Sequence, residues 1–221
     1  MPRPDWPTAA PFVPPTGDLT VLAAAMDGCR GCPLWEPATQ AVPGSGPETA
    51  RVVLVGEQPG DQEDLQGRPF VGPAGRLLDS ALDEAGVDRA QAYVTNAVKH
   101  FKFRAQGKRR VHASPDTWEV RACTPWLQAE MALLKPEVVV LLGATAGKAV
   151  YGASFRVGEA RGRLADFPPE LPGHHQPAHA PRWVLATTHP AAVLRSRERD
   201  ADYERFVADL RVATEALKAA G

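Results

Sequence analysis

The stretch RVVLVGEQPGDQEDLQGRPFVGPAGRLLDSALDEAG, residues 51 to 86, decides the fold. Its opening run, Val52-Val53-Leu54-Val55, is continuously apolar and rich in β-branched residues, the pattern of a strand buried on both faces. A glycine- and proline-rich loop follows. A helix is then expected from about Pro73 to Ala85, with proline in its first turn and Gly86 as its stop.

The same alternation recurs on either side. AYVTNAV (Ala92 to Val98), EVVVLLG (Glu137 to Gly143) and RWVLATTHP (Arg182 to Pro190) read as three further strands. Helices are expected from the N-cap Asp18 to Gly28, from Asp116 to Leu134, over ATAGKAVYG, and from about Arg199 to Ala220. Strands alternating with helices imply a parallel sheet covered on both faces. The expected fold is therefore α/β, a three-layer α/β/α domain around a four-stranded, largely parallel sheet. It should occupy residues 18 to 221, behind a proline-rich segment, 1 to 17, that reads as a flexible tail. A proline- and histidine-rich loop is expected from Asp166 to Pro181.

In such sheets, ligands bind beyond the carboxyl ends of the strands. Those ends carry Gly56-Glu57-Gln58, Asn96, Gly143 and Thr188-His189-Pro190, so three of the four offer polar groups suited to chemistry. The chain has 221 residues, 44% of them hydrophobic and 23% charged, an ordinary soluble balance. It has no apolar run long enough for a bilayer, and its N-terminus lacks the pattern of a secretory signal. A monomer in the cytoplasm, away from membranes, is the expectation. The net charge of −1 announces no nucleic acid. However, Lys99, Lys102, Arg104, Lys108, Arg109 and Arg110 follow one another without an acid, with Phe101 and Phe103 interleaved. A solvated loop accounts for the charge alone. Cations for phosphates beside aromatics for bases point instead to single-stranded or opened nucleic acid.

Cys29, Cys32 and Cys123 are too few and too uneven for a disulfide framework. Cys29-Arg30-Gly31-Cys32 precedes the first strand and so lacks the setting of a thioredoxin-type pair. A metal or iron–sulfur site would need a fourth ligand.

GEQPGDQEDLQGRPFVGPAG (Gly56 to Gly75) resembles the uracil-DNA glycosylase superfamily, in particular its iron–sulfur-containing family four. HPAAVLR (His189 to Arg195) resembles that superfamily's DNA-inserting loop, and Gln58 with GKRRVH (Gly107 to His112) resembles the UdgX branch. The similarity runs from about residue 20 to the end, in order. It implies uracil-containing DNA as partner, single-stranded DNA favoured. It also implies a ligand set of Cys29, Cys32, His100 and Cys123, with His100 where most family-four members have cysteine. Histidine replaces cysteine on some cluster irons, and three thiolates with one imidazole also suit structural zinc. The resemblance points to a four-iron four-sulfur cluster; zinc stays open.

Roles follow residue by residue. Phe70, otherwise a core phenylalanine, is the candidate to stack on a flipped base. Asn96, otherwise a turn cap, offers an acceptor and a donor to uracil N3–H and O4, a pattern cytosine reverses. Gly56 and Gln58 belong to the same pocket. His189 is placed to hydrogen-bond uracil O2 as negative charge grows there. Pro190, Ala191, Ala192 and Val193 are expected to probe the gap left by the base, and Arg195 to face the backbone.

Glu57 can stabilise the sugar cation, orient water or hold a histidine. In the UdgX-like reading His112 attacks C1′ before water and stays attached. A free imidazole is mostly neutral near pH 7, so little activation is required. Lys108, Arg109 and Arg110 are expected to grip phosphates, Gln58 to position Glu57 and the sugar, and Asp61 and Asp64 to fix the motif or a water. Two alternatives remain: a multiple-turnover glycosylase in which His112 merely touches phosphate, and a non-catalytic, metal-stabilised DNA-binding module. GATAGKA (Gly143 to Ala149) is one residue short of a phosphate-binding loop and lacks Ser or Thr after Lys148. His174, His175 and His179 have no obvious acidic or cysteine partner.

Overall fold

The computed structural model describes residues 8–168 and 180–219. Four parallel strands build the sheet: β1 (Val52–Gly56), β2 (Ala92–Asn96), β5 (Val138–Leu142) and β7 (Trp183–Thr187). A fifth, β6 (Leu164–Ala165), pairs antiparallel with β7, and the order is β2-β1-β5-β7-β6. The sheet thus has one strand more than expected. Two residues at an edge bury too little to leave a period in the sequence.

Side chains alternate between the faces of a strand, and here both faces are covered. Val53, Val55, Val139 and Leu141 pack on one side with Trp126 and Met131 of α4 (Thr117–Leu134), Ala146 of α5 (Gly143–Tyr151) and Leu22 of α1 (Leu19–Met26). Val52, Leu54, Val140 and Leu142 pack on the other with Leu78 and Leu82 of α3 (Pro73–Ala85) and Phe206 and Leu210 of α8 (Arg199–Ala219). Double coverage explains why these strands read as unbroken apolar runs. The caps are those the sequence announces: Asp18 Oδ1 accepts the Val21 N–H at 2.9 Å, and Gly86 ends α3 at φ +73°.

Three features depart from the expectations. The basic segment is a hairpin, β3 (Phe103–Gln106) against β4 (Arg109–His112), turned at Gly107 with φ +59°. Lys99 is not part of that solvated segment. Its ammonium is fully buried, 2.7 Å from the equally buried Glu130 carboxylate of α4, and it also donates to Thr95 Oγ1 and the Asn96 carbonyl. A buried charge persists only when paired and hydrogen-bonded, and this pair ties the end of β2 to α4. The motif loops also contain short helices, α2 (Asp61–Gln66) and α7 (Pro190–Leu194), with α6 (Val157–Ala160) further along.

Within the stretch expected as a tail, Ala9 is buried and its N–H donates to the Ala122 carbonyl at 2.8 Å. Gly31 permits this approach, since a Cβ there would stand 2.6 Å from the Ala9 nitrogen. Most of the expected proline- and histidine-rich loop, including His174, His175 and His179, lies outside the described residues. Among the described residues no helix is long and apolar enough to cross a membrane.

Candidate active site

The carboxyl ends of β1, β2, β5 and β7 open into a cavity of about 490 Å³ lined by Glu57, Phe70, Asn96, His112, Thr145 and His189, among others. Gly56 and Asn96 are register partners across β1 and β2. A Cβ on Gly56 would stand 2.4 Å from Asn96 Oδ1 and 2.7 Å from Phe70 Cζ, so this glycine lets the amide and the ring meet. Phe70 has a left-handed backbone, φ +56°. Such a conformation persists in a bulky residue only where its surroundings impose it. Glu63 imposes it from one side by accepting the Gly60 and Gly72 N–H groups at 3.1 and 2.8 Å. Gly75 completes the turn, with no room for a Cβ beside the Phe70 carbonyl.

His189 leaves β7 and caps α7, where its Nδ1 accepts the Ala191 N–H at 3.1 Å. In a neutral ring the proton therefore sits on Nε2, ready to donate. Desolvation chiefly, with Arg195 and His112 adding to it, lowers the pKa of His189 to about 4. The ring is thus a neutral donor at physiological pH. It lies 6.2 Å from the Phe70 ring at an interplanar angle of 27°, forming the second wall of the cavity.

Glu57 is the first residue beyond β1. The Thr145 hydroxyl, from the first turn of α5, donates to its Oε2, and His112 Nε2 stands 3.4 Å from its Oε1. Thr145 was missed in the sequence, because a threonine inside a defective phosphate-loop motif draws no notice. Its place beside a strand end was the available signal.

Gln58 and Arg110 show how His112 comes to this place. Gln58 does not contact Glu57 through a hydrogen bond. Its Nε2 donates to the carbonyls of Lys102 and Ala113 and its Oε1 accepts the Lys102 N–H, all at 3.1 Å. Its amide is spent on closing the base of the β3–β4 hairpin. Arg110 does not reach outward for phosphate either. Its guanidinium pairs with Asp61 at 2.7 Å and the fully buried Asp64 at 2.5 Å, and lies over Phe101 and Phe103. Asp61 and Asp64 thus anchor the hairpin to α2. Lys108 and Arg109, at the tip of the hairpin and the start of β4, are exposed. In HPAAVLR, Pro190 and Val193 are buried, Ala191 and Arg195 line the cavity, and Ala192 is exposed.

Cys29, Cys32, Cys123 and His100 are all buried at the other end of the β2 exit loop. N–H groups already point at the sulfurs: Trp126 Nε1 and Gly31 N towards Cys29 Sγ at 3.2 and 3.5 Å, and Lys99 N towards Cys123 Sγ at 3.3 Å. Burial pushes the Cys32 thiol up to about 11 and Cys123 further, and lowers His100 to about 4. Among the described residues no three His, Cys, Asp or Glu side chains converge as the ligands of a single ion do.

Replacing Gln58 with Ala removes three hydrogen bonds from the hairpin base, each worth about 0.5–1.5 kcal/mol net. Amide hydrogen exchange at Lys102 and Ala113 should accelerate by about ten- to a hundredfold while the strands of the main sheet stay protected. Unchanged exchange at these two amides contradicts the clamp.

The chain matches the family profile of the uracil DNA glycosylase superfamily over residues 43–211. It is 36% identical to the type-4 uracil-DNA glycosylase of Pyrobaculum aerophilum over 200 residues, covering 86% of this chain and 92% of that protein. It is 36% identical over 183 residues to the type-4 uracil-DNA glycosylase of Thermotoga maritima, covering 82% and 86%. The type-5 uracil-DNA glycosylase of Thermus thermophilus shares 34% over 176 residues, 72% of each chain. With matched residues spanning every strand of the sheet and the whole cavity wall, the chain belongs to the uracil DNA glycosylase superfamily.

Proposed function

We propose that the protein excises uracil from DNA, preferring single strands, and keeps the sugar covalently on His112, as in the UdgX branch. The observation that carries this reading is the approach of His112 Nε2 to Glu57 Oε1, 3.4 Å, inside the cavity. A flipped uridine stacks on Phe70, and the Asn96 amide meets uracil N3–H and O4. As the C1′–N1 bond breaks, its electron pair passes to uracil, and the His189 Nε2–H stabilises the charge at O2. The sugar becomes cationic beside the Glu57 carboxylate. The lone pair of His112 forms the new N–C1′ bond, the imidazole becomes cationic next to the same carboxylate, and its remaining N–H proton goes to solvent. Uracil leaves as the anion and takes a proton from water. Lys108 and Arg109 meet phosphates from the hairpin tip. Gln58 and Arg110 act as positioning residues, holding the hairpin against the motif.

The four buried residues Cys29, Cys32, Cys123 and His100 fit a four-iron four-sulfur cluster better than zinc. A cluster holds its ligands at separate corners, so they need not converge as the ligands of one ion must. The N–H groups aimed at sulfur suit thiolate ligands, and a neutral His100 suits ligation. When bound, the cluster supplies a rigid tie between the N-terminal segment, the β2 exit loop and α4.

The experiment is denaturing electrophoresis after mixing the protein with uracil-containing single-stranded DNA. A shifted band that survives denaturation is expected, at no more than one adduct per protein, and His112→Ala should lose it. Free abasic product in molar excess over protein, with no such band, would establish turnover instead. Binding without uracil release would establish a non-catalytic module. The purified protein should be brown with broad visible absorption; a colourless, zinc-containing preparation overturns the cluster.

A further inference from the structure

The Glu57 carboxylate is held from two directions. β1 and β5 are parallel neighbours, so Glu57, one residue past β1, lies beside the start of α5. Gly143 turns the chain there at φ +89°, and Thr145 follows as the third residue of the helix. Its hydroxyl donates to Glu57 Oε2, and its side chain lines the cavity. The other oxygen, Oε1, faces His112 Nε2 at 3.4 Å. One carboxylate therefore turns one oxygen to α5 and the other to the hairpin.

Two nucleophiles can reach C1′, and they make different demands on that carboxylate. Water must lose a proton to give a stable product, and a free carboxylate oxygen is the base that takes it. An imidazole bonds through its own lone pair and needs only a negative charge beside it. A hydroxyl on Oε2 leaves the charge in place while engaging the oxygen that a water would use. It also fixes the plane of the carboxylate, whose terminal torsion is otherwise soft and could present either oxygen. Threonine fills volume at the cavity wall as well. A smaller residue would leave room for a water beside an unpaired Oε2.

We propose that Thr145 is a positioning residue, holding Glu57 so that His112 rather than water takes the sugar. This rests on the capture reading above and names the residue that sets its yield against hydrolysis.

The test is a partition measured on uracil-containing single-stranded DNA, as adduct formed per uracil released. Denaturing electrophoresis gives the first quantity and the freed base the second. Unfolded protein contributes to neither, so a loss of stability does not move the ratio. The wild type should give close to one adduct per uracil. Thr145→Val keeps the shape and removes the hydroxyl; losing a charge-assisted hydrogen bond should lower the ratio about threefold to tenfold. Thr145→Ala, favourable in a helix, also opens space for water and should lose at least as much, with free abasic product in place of adduct. Thr145→Ser keeps the donor and should stay within about twofold of the wild type. A wild-type ratio in Thr145→Val overturns the proposal, as does an equal fall in Thr145→Ser. Loss of all uracil release in a variant that circular dichroism shows to be folded assigns the hydroxyl to bond cleavage and overturns it too. A wild type that releases uracil without any adduct defeats the capture reading, and this assignment with it.

Discussion

The guanidinium of Arg110, held between Asp61 and Asp64, is the interaction on which the site depends. A two-stranded hairpin is marginal in water by itself. This one buries little: every residue of β3 and β4 is at least partly exposed. It keeps its place because one side chain reaches back into the acidic first turn of α2 while Gln58 closes its base. His112 is two residues beyond Arg110 on the same strand and therefore inherits that fixed position. In the proposed capture, an imidazole without this anchor would have to be ordered on a free loop at the moment of reaction, at an entropic cost.

Two charge environments are kept apart within one cavity. His189 is desolvated and held neutral as a donor, while Glu57 is left as an acceptor for the Thr145 hydroxyl and faces His112. Proposed leaving-group stabilisation and proposed sugar capture thus belong to different walls of one cavity. The first wall is fixed by α7 and Gly143, whose missing side chain gives His189 its room. The second is fixed by the hairpin. The buried Lys99–Glu130 pair stands behind Asn96, joining the carboxyl end of β2 to the helix that carries Cys123.

Much of this was legible from the chain because the signals are strong and local. The four parallel strands sit in largely apolar runs, unbroken in β1 and β5, and α1, α3, α4, α5 and α8 carry caps or clear periodicity. Phe70, Asn96, His112, Glu57 and His189 were singled out and do line one cavity. What was not legible was non-local or small. Two residues of β6 carry no pattern, and a hairpin exposed on both faces has no alternation to detect. A lysine looks solvated until its carboxylate partner, 31 residues away, is found beside it. By chemistry alone, Arg110 suits a phosphate and Gln58 the reacting sugar. The structure turns both inward, because buried polar groups go to the partners that satisfy them.

The central claim is that the nitrogen facing Glu57 is the atom that captures the sugar. Peptide mapping by mass spectrometry of protein recovered from uracil-containing DNA, after nuclease digestion, addresses it directly. The added sugar mass should sit on His112, and Glu57→Gln should reduce its yield while leaving the folded protein intact. A sugar attached to any other residue, or none attached where uracil has been released, contradicts the account.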